Sequence, residues 1–276
     1  MGLRLNQISD EIAARSLARD TAKLSMLKGR GPLTSSQRDQ ENYLHTLGRL
    51  SFDVGMTLYR QKGSLAEVRL HLHQAGDFSL KEHLLRSKPA ANTSRNPWAF
   101  KRLMEIVICW GMPAQRSGLG LVKHWQYRNP CHSNTEDVAA YIQLFSAHFI
   151  GKALDLLEIQ RVVARLPLTG KASVDMKSLR LSLLALQALE SNLVRDWTDA
   201  ISGLLMLHGV ECRSGDLRLS EEGHMCLPAL MLARLGSERG WVCDLDSPYL
   251  PLDLIKDVPL GSADASVTAK RRLLWF

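Results

Sequence analysis

The chain is short of cysteine, short of aromatic side chains and without long apolar runs, and each shortage removes a class of explanation. Its five cysteines, Cys109, Cys131, Cys212, Cys226 and Cys243, are odd in number and widely spaced, with no CxxC pair. That pattern encodes neither a disulfide framework nor a zinc knuckle, and it fits small apolar core residues in a reducing compartment. Aromatics make up 6% of the 276 residues, too few for a stacking platform on single-stranded nucleic acid. The longest apolar runs, such as "LRLSLLALQAL" at 179–189, fall far short of a bilayer span. The opening "MGLRLNQISDEIAARSLARD" lacks the continuous apolar stretch of a signal peptide, so the expected location is the cytoplasm. GxGxxG, Walker, GxSxG and HExxH patterns are also missing.

The nine histidines carry no metal signature. His71 and His73 lie two apart, on different faces of a helix, and His224 and Cys226 have the same unsuitable spacing. Glu190 with Asp196, or Asp155 with Glu158, would be candidate acid–base pairs, but they fall on amphipathic helices among many Arg and Lys and read as solvated faces. Neither a metal nor a cofactor is expected, and no catalytic residue is assigned.

What is present is helical periodicity. "ISDEIAARSLARDTAKLSML" (8–27) places acids in its first turn, and "KGRGPLTSS" (28–36) breaks it. In 35–63, Tyr43, Leu44, Leu47, Leu50, Val54, Leu58 and Tyr59 recur at three- and four-residue steps, which predicts one long helix. Ser64 and Glu67 form a capping-box pattern before the next helix, and "FSLKEHLLRS" reads as a shorter separate one. Asn96 and Pro97 open another. Helices are expected again at 135–149, 151–166, 174–191 and 192–208, and at "HMCLPALMLARLGSERG", which Gly240 closes. "WVCDL" is the single strand candidate. The expected fold is all-α: one domain, an irregular array of eight to ten helices with a short extended C-terminal strap. An N-terminal helix and loop run to about residue 40, the body spans 41–260, and a basic tail occupies 261–276.

Charge is unevenly spread. Residues 1–130 hold 20 Lys/Arg against 10 Asp/Glu, whereas 131–276 hold 15 against 18. The weakest periodicity falls at 111–137, where Arg116, Lys123, His124, Trp125, Tyr127 and Arg128 cluster. Trp, Tyr and Arg are enriched at protein–protein hot spots, so these six are the candidate partner-binding residues. Trp125 and Tyr127 fit a core anchor equally well. A basic half also suits a helical nucleic-acid-binding regulator or a helical scaffold.

Near the C-terminus, "DSPYLPLDLI" (246–255) places Tyr249, Leu250, Pro251, Leu254 and Ile255 after a helix containing Ala229, Leu230, Leu232, Ala233 and Gly240. This order resembles the C-terminal region of the immunity protein 49 family of bacterial polymorphic toxin systems, in which a late Ala/Leu helix ends in Gly and a "YLP-x-x-L-(L/I)" signature follows. "FSLKEHLLR" and "AHFIGKALDLLEIQRVVARLP" resemble that family's internal helices more loosely. The resemblance implies a non-enzymatic cytoplasmic inhibitor that binds a cognate toxin domain, possible toxins including nucleases, delivered by a contact-dependent or type VI-like secretion system. Physically, Pro248 and Pro251 would stiffen an extended strap, and its apolar side chains would latch it onto the last helix.

Overall fold

The computed structural model describes residues 10–87, 97–122, 135–166 and 173–256. The fold is all-α, and among the described residues there is no strand. The helices are α1 (Asp10–Arg30), α2 (Gln37–Arg60), α3 (Leu65–Arg86), α4 (Pro97–Trp110), α5 (Pro113–Leu119), α6 (Thr135–Phe149), α7 (Leu156–Arg165), α8 (Val174–Glu190), α9 (Val194–Ser214) and α10 (Leu227–Glu238). Three short 3-10 turns, at 216–219, 221–224 and 252–254, join or follow the last two. Local chemistry sets several starts. Ser36, Asp155 and Ser173 each accept a backbone N–H in the first turn of α2, α7 and α8.

Helices α2 and α3 form a close antiparallel hairpin. At Gly48 a Cβ would meet Ser79 Oγ at 2.5 Å, and at Gly55 it would meet Leu72 at 3.0 Å. The two glycines and their two partners share a seven-residue spacing, so they lie on one seam that lets the backbones approach. Helix α3 continues straight through Gly76 and Asp77, where the sequence suggested a break. The reason is packing: Gly76 abuts Val107 and Ile106 of α4, at 3.3 and 3.4 Å from a built Cβ, and close contact holds the helix through the weak point. Ser64 precedes α3 without a side-chain cap bond, so the Ser64–Glu67 capping box does not form there.

One large core joins α2, α3, α4 and α6–α10, with Phe100, Tyr141, Phe145 and Trp197 fully buried. Helix α1 is attached through a smaller cluster, Leu24 with Leu47 and Leu50, flanked by Leu27, Tyr43 and Phe78. Helix α10 lies at the centre. Trp197 of α9 rests on Gly236, where a Cβ would overlap the indole ring, and its Nε1 donates to Leu232 O at 3.1 Å. Trp241 meets the same ring edge-on, centroids 5.4 Å apart.

The C-terminal segment is a latch, although its backbone is less extended than expected. Residues 241–247 run extended with alternating half-buried and exposed side chains, but no partner strand is present among the described residues, so "WVCDL" is not part of a sheet. The chain then turns at Pro248–Tyr249 and tightens into the 252–254 turn. Leu250, Leu254 and Ile255 are 4%, 2% and 5% exposed, Pro251 is buried, and Tyr249 is half-buried against His208. Backbone groups complete the attachment. Tyr249 O accepts from Cys226 N at 2.9 Å, and Leu254 O accepts from Trp110 Nε1 at 3.2 Å. Asp253 O accepts from Arg69, and Ile255 O from Arg234. Side chains of three helices, α3, α4 and α10, hold this one short segment. Leu254→Ala removes a buried side chain, and it is expected to cost about 2–5 kcal/mol in urea denaturation. An unchanged midpoint would show that the latch does not bear on stability.

Candidate functional site

A cavity of about 440 Å³ lies between α4, α8, α9, the two 3-10 turns at 216–224 and the start of α10. Its wall combines apolar side chains (Leu204, Leu207, Met225 and Leu227) with an unusual share of charge. Lys101 and Glu105, both nearly fully buried, form an i,i+4 ion pair on α4, and Lys101 Nζ also sits 5.8 Å from the Tyr141 ring. Beside it Arg102 pairs with Glu222 at 2.7 Å and lies 4.4 Å from the centroid of the Phe52 ring. These two pairs neutralise each other's members. The mouth is different: Asp175, Glu211 and Asp216 add three carboxylates, and among the described residues none has an ion-pair partner. Glu211 is held in place by accepting from Asp216 N at 3.2 Å. The cavity is therefore net acidic, with its surplus charge at the opening.

The thiols and imidazoles in and behind the wall are shifted away from neutrality. Burial pushes the Cys226 thiol up to about 12 and the Cys212 thiol up to about 11, so both are protonated at neutral pH. Burial holds the His208 imidazole down at about 4, and its Nε2–H donates to Gly223 O at 3.2 Å. His224 is also held at about 4, by burial first and then by Arg60 and His208. Imidazoles this weakly basic are poor general bases. Among the described residues no group of three His, Cys, Asp or Glu could hold a metal ion.

The sequence-predicted contact residues divide. Arg116 is committed to the interior of the fold: its guanidinium donates to Ile108 O at 2.6 Å and pairs with Glu238 at 2.6 Å, tying α5 to the end of α4 and to α10. Lys123, His124, Trp125, Tyr127 and Arg128 lie outside the described residues. Tyr249, Leu250, Pro251, Leu254 and Ile255 are brought together in the latch. Of the carboxylates read as solvated faces, Asp155 caps α7, Glu158 pairs with Arg161, and Glu190 bridges His148 and Arg239 at 2.8 Å each. The acidic mouth escaped sequence reasoning because Asp175 lies 36 residues before Glu211 and joins Glu211 and Asp216 only in the fold. Lys101 and Glu105 did leave a trace, as a charged pair four residues apart in the otherwise apolar "FKRLMEIVICW".

No family model matches the chain, and neither does any curated protein or solved structure. No described helix is long and apolar enough to cross a membrane.

The depressed imidazole of His208 has a consequence for stability. Its folded pKa of about 4 lies below its ordinary value of 6.5, so on acidification the unfolded chain takes up a proton before the folded one does. Stability from this group is complete above 6.5 and is lost progressively as pH falls to about 4. His208→Asn should flatten the fall of unfolding free energy across that window, measured by urea titration at successive pH values. A slope identical to that of the unaltered chain would show that His208 titrates alike in both states.

Proposed function

We propose that this chain is an immunity protein, a non-enzymatic cytoplasmic binder that neutralises a cognate toxin domain by stoichiometric occlusion. The observation that carries the reading is the acidic mouth of the central cavity. Three carboxylates with no ion-pair partner among the described residues, set on the ends of rigid helices and turns around a wall of apolar side chains and internally paired charges, suit a protruding Arg or Lys of a protein partner. They repel nucleic acid. A toxin that degrades or modifies nucleic acid presents a basic substrate cleft, and such a cleft complements this face. The state of the wall residues supports recognition over catalysis, because the thiols are protonated and the imidazoles nearly non-basic. The latch also fits the reading: the residues that resemble the family signature, Tyr249, Leu250, Pro251, Leu254 and Ile255, act here on the protein's own core and leave the cavity face to the partner.

The test uses a toxin domain taken from the neighbouring gene, where that gene encodes one. Titrating the immunity chain into it should reduce toxin activity linearly and extinguish it at equimolar protein, through a complex that survives gel filtration. Reversing the mouth charges together (Asp175→Lys, Glu211→Lys, Asp216→Lys) should slow association about tenfold or more at low salt, with a smaller effect at high salt. Extinction by a small fraction of an equivalent would make the protein an enzyme acting on the toxin. A folded triple variant that associates at the unaltered rate would move the contact to another face.

A further inference from the structure

A second concave feature lies on the face between α8 and α9, a groove of about 350 Å³. Its floor is apolar: Leu181, Ala188 and Ala200 are 9%, 2% and 5% exposed. Its α9 edge carries both apolar and acidic side chains. Leu193 stands 49% exposed on the turn that Asn192 makes at φ 57°, and Asp196 and Asp199 follow it on α9, without an ion-pair partner among the described residues. The stripe continues along α9. Asp196, Asp199, Gly203, Met206 and Val210 recur at three- and four-residue steps and so share one face. Met206 is 72% and Val210 45% exposed. The face thus reads as two carboxylates at one end followed by an open apolar seam. From Asp196 to Val210 it runs about 21 Å.

The chain carries a segment of complementary order. Residues 270–276, "KRRLLWF", place three basic side chains ahead of four large apolar ones. This segment lies outside the described residues. Fully extended, seven residues span about 23 Å, close to the length of the seam. The segment is also within reach. Ile255 O is held by Arg234 of α10, and Arg239, five residues further along the same helix, donates to Leu189 O and pairs with Glu190 at the end of α8. Five residues of helix rise about 7.5 Å. The intervening "DVPLGSADASVTA" (257–269) is rich in small and polar residues, and it could extend over about 40 Å.

We propose that the C-terminal segment 270–276 docks in its own chain's α8/α9 groove, with Lys270, Arg271 and Arg272 against Asp196 and Asp199, and with Leu273 to Phe276 along the seam toward Met206 and Val210. The docked segment covers an apolar face that is otherwise open to water. The docking involves no toxin, so it stands or falls independently of the immunity reading.

The full chain is treated with a zero-length carbodiimide reagent, as an equal mixture of isotopically light and heavy protein, and the digest is analysed by mass spectrometry. Docking predicts coupling of Lys270 to Asp196 or Asp199 within chains of a single isotope. Arg271→Glu with Arg272→Glu should lower that yield about fivefold, as expected when two exposed ion pairs are replaced by repulsion. Trp275→Ala with Phe276→Ala should lower the yield and speed hydrogen exchange at 193–210, while the latch at 249–255 keeps its protection. Mixed-isotope coupling would overturn the proposal in favour of exchange between copies. Absence of coupling, with exchange at 193–210 indifferent to Trp275 and Phe276, would overturn it outright.

Discussion

The contact on which the most structure depends is that of Trp197 with Gly236. An indole can lie directly on the α10 backbone only where a side chain is missing, and its N–H is satisfied by Leu232 O of the same helix. This brings α9 against α10 and leaves the other sides of α10 to α4, α8 and the latch. The charged residues of α10 then face outward to fasten its neighbours. Glu238 takes Arg116 of α5, Arg239 takes the end of α8, and Arg234 takes Ile255 O. A side chain on Gly236 would therefore disturb four packing relations together, which is how a close-packed interior transmits a local overlap.

From that centre the functional face follows. The cavity exists because α4, α8 and α9 converge on the start of α10, while the two 3-10 turns after α9 close only part of the gap. Its buried Lys101–Glu105 pair is costly to desolvate and gains most of its worth from being intact. Such a pair gives the floor polarity without leaving net charge. The net charge comes from the mouth, so the electrostatic character of this face is set by helix and turn ends that the core holds rigid.

Much of the fold was legible because apolar residues recur at helical steps. The Tyr43–Tyr59 series marks α2, and Asn96–Pro97 marks the start of α4. What was illegible depended on tertiary contact. Gly76 looks like a helix end until α4 lies against it. Two prolines and a β-branched residue suggested an extended strap and a strand, whereas Trp110, Arg69 and Arg234 draw the carbonyls of 253–255 into a compact turn. The latch side chains were identifiable as a group because they are adjacent in sequence. The acidic mouth was not, since Asp175 of α8 meets the local Glu211–Asp216 pair only through folding. Arg116 shows the reverse relation: composition marked it for a partner, and in the fold its guanidinium also holds Ile108 O and Glu238.

The central claim is that the cavity face recognises the partner while the latch serves the fold. Hydrogen–deuterium exchange of the chain, alone and saturated with the toxin domain identified by the inhibition titration, tests both halves at once. The account predicts new protection at 173–178 and 207–222, around the mouth, with no change at 249–255. Protection confined to α1 or to 113–128, with the mouth exchanging as in the free chain, would contradict it.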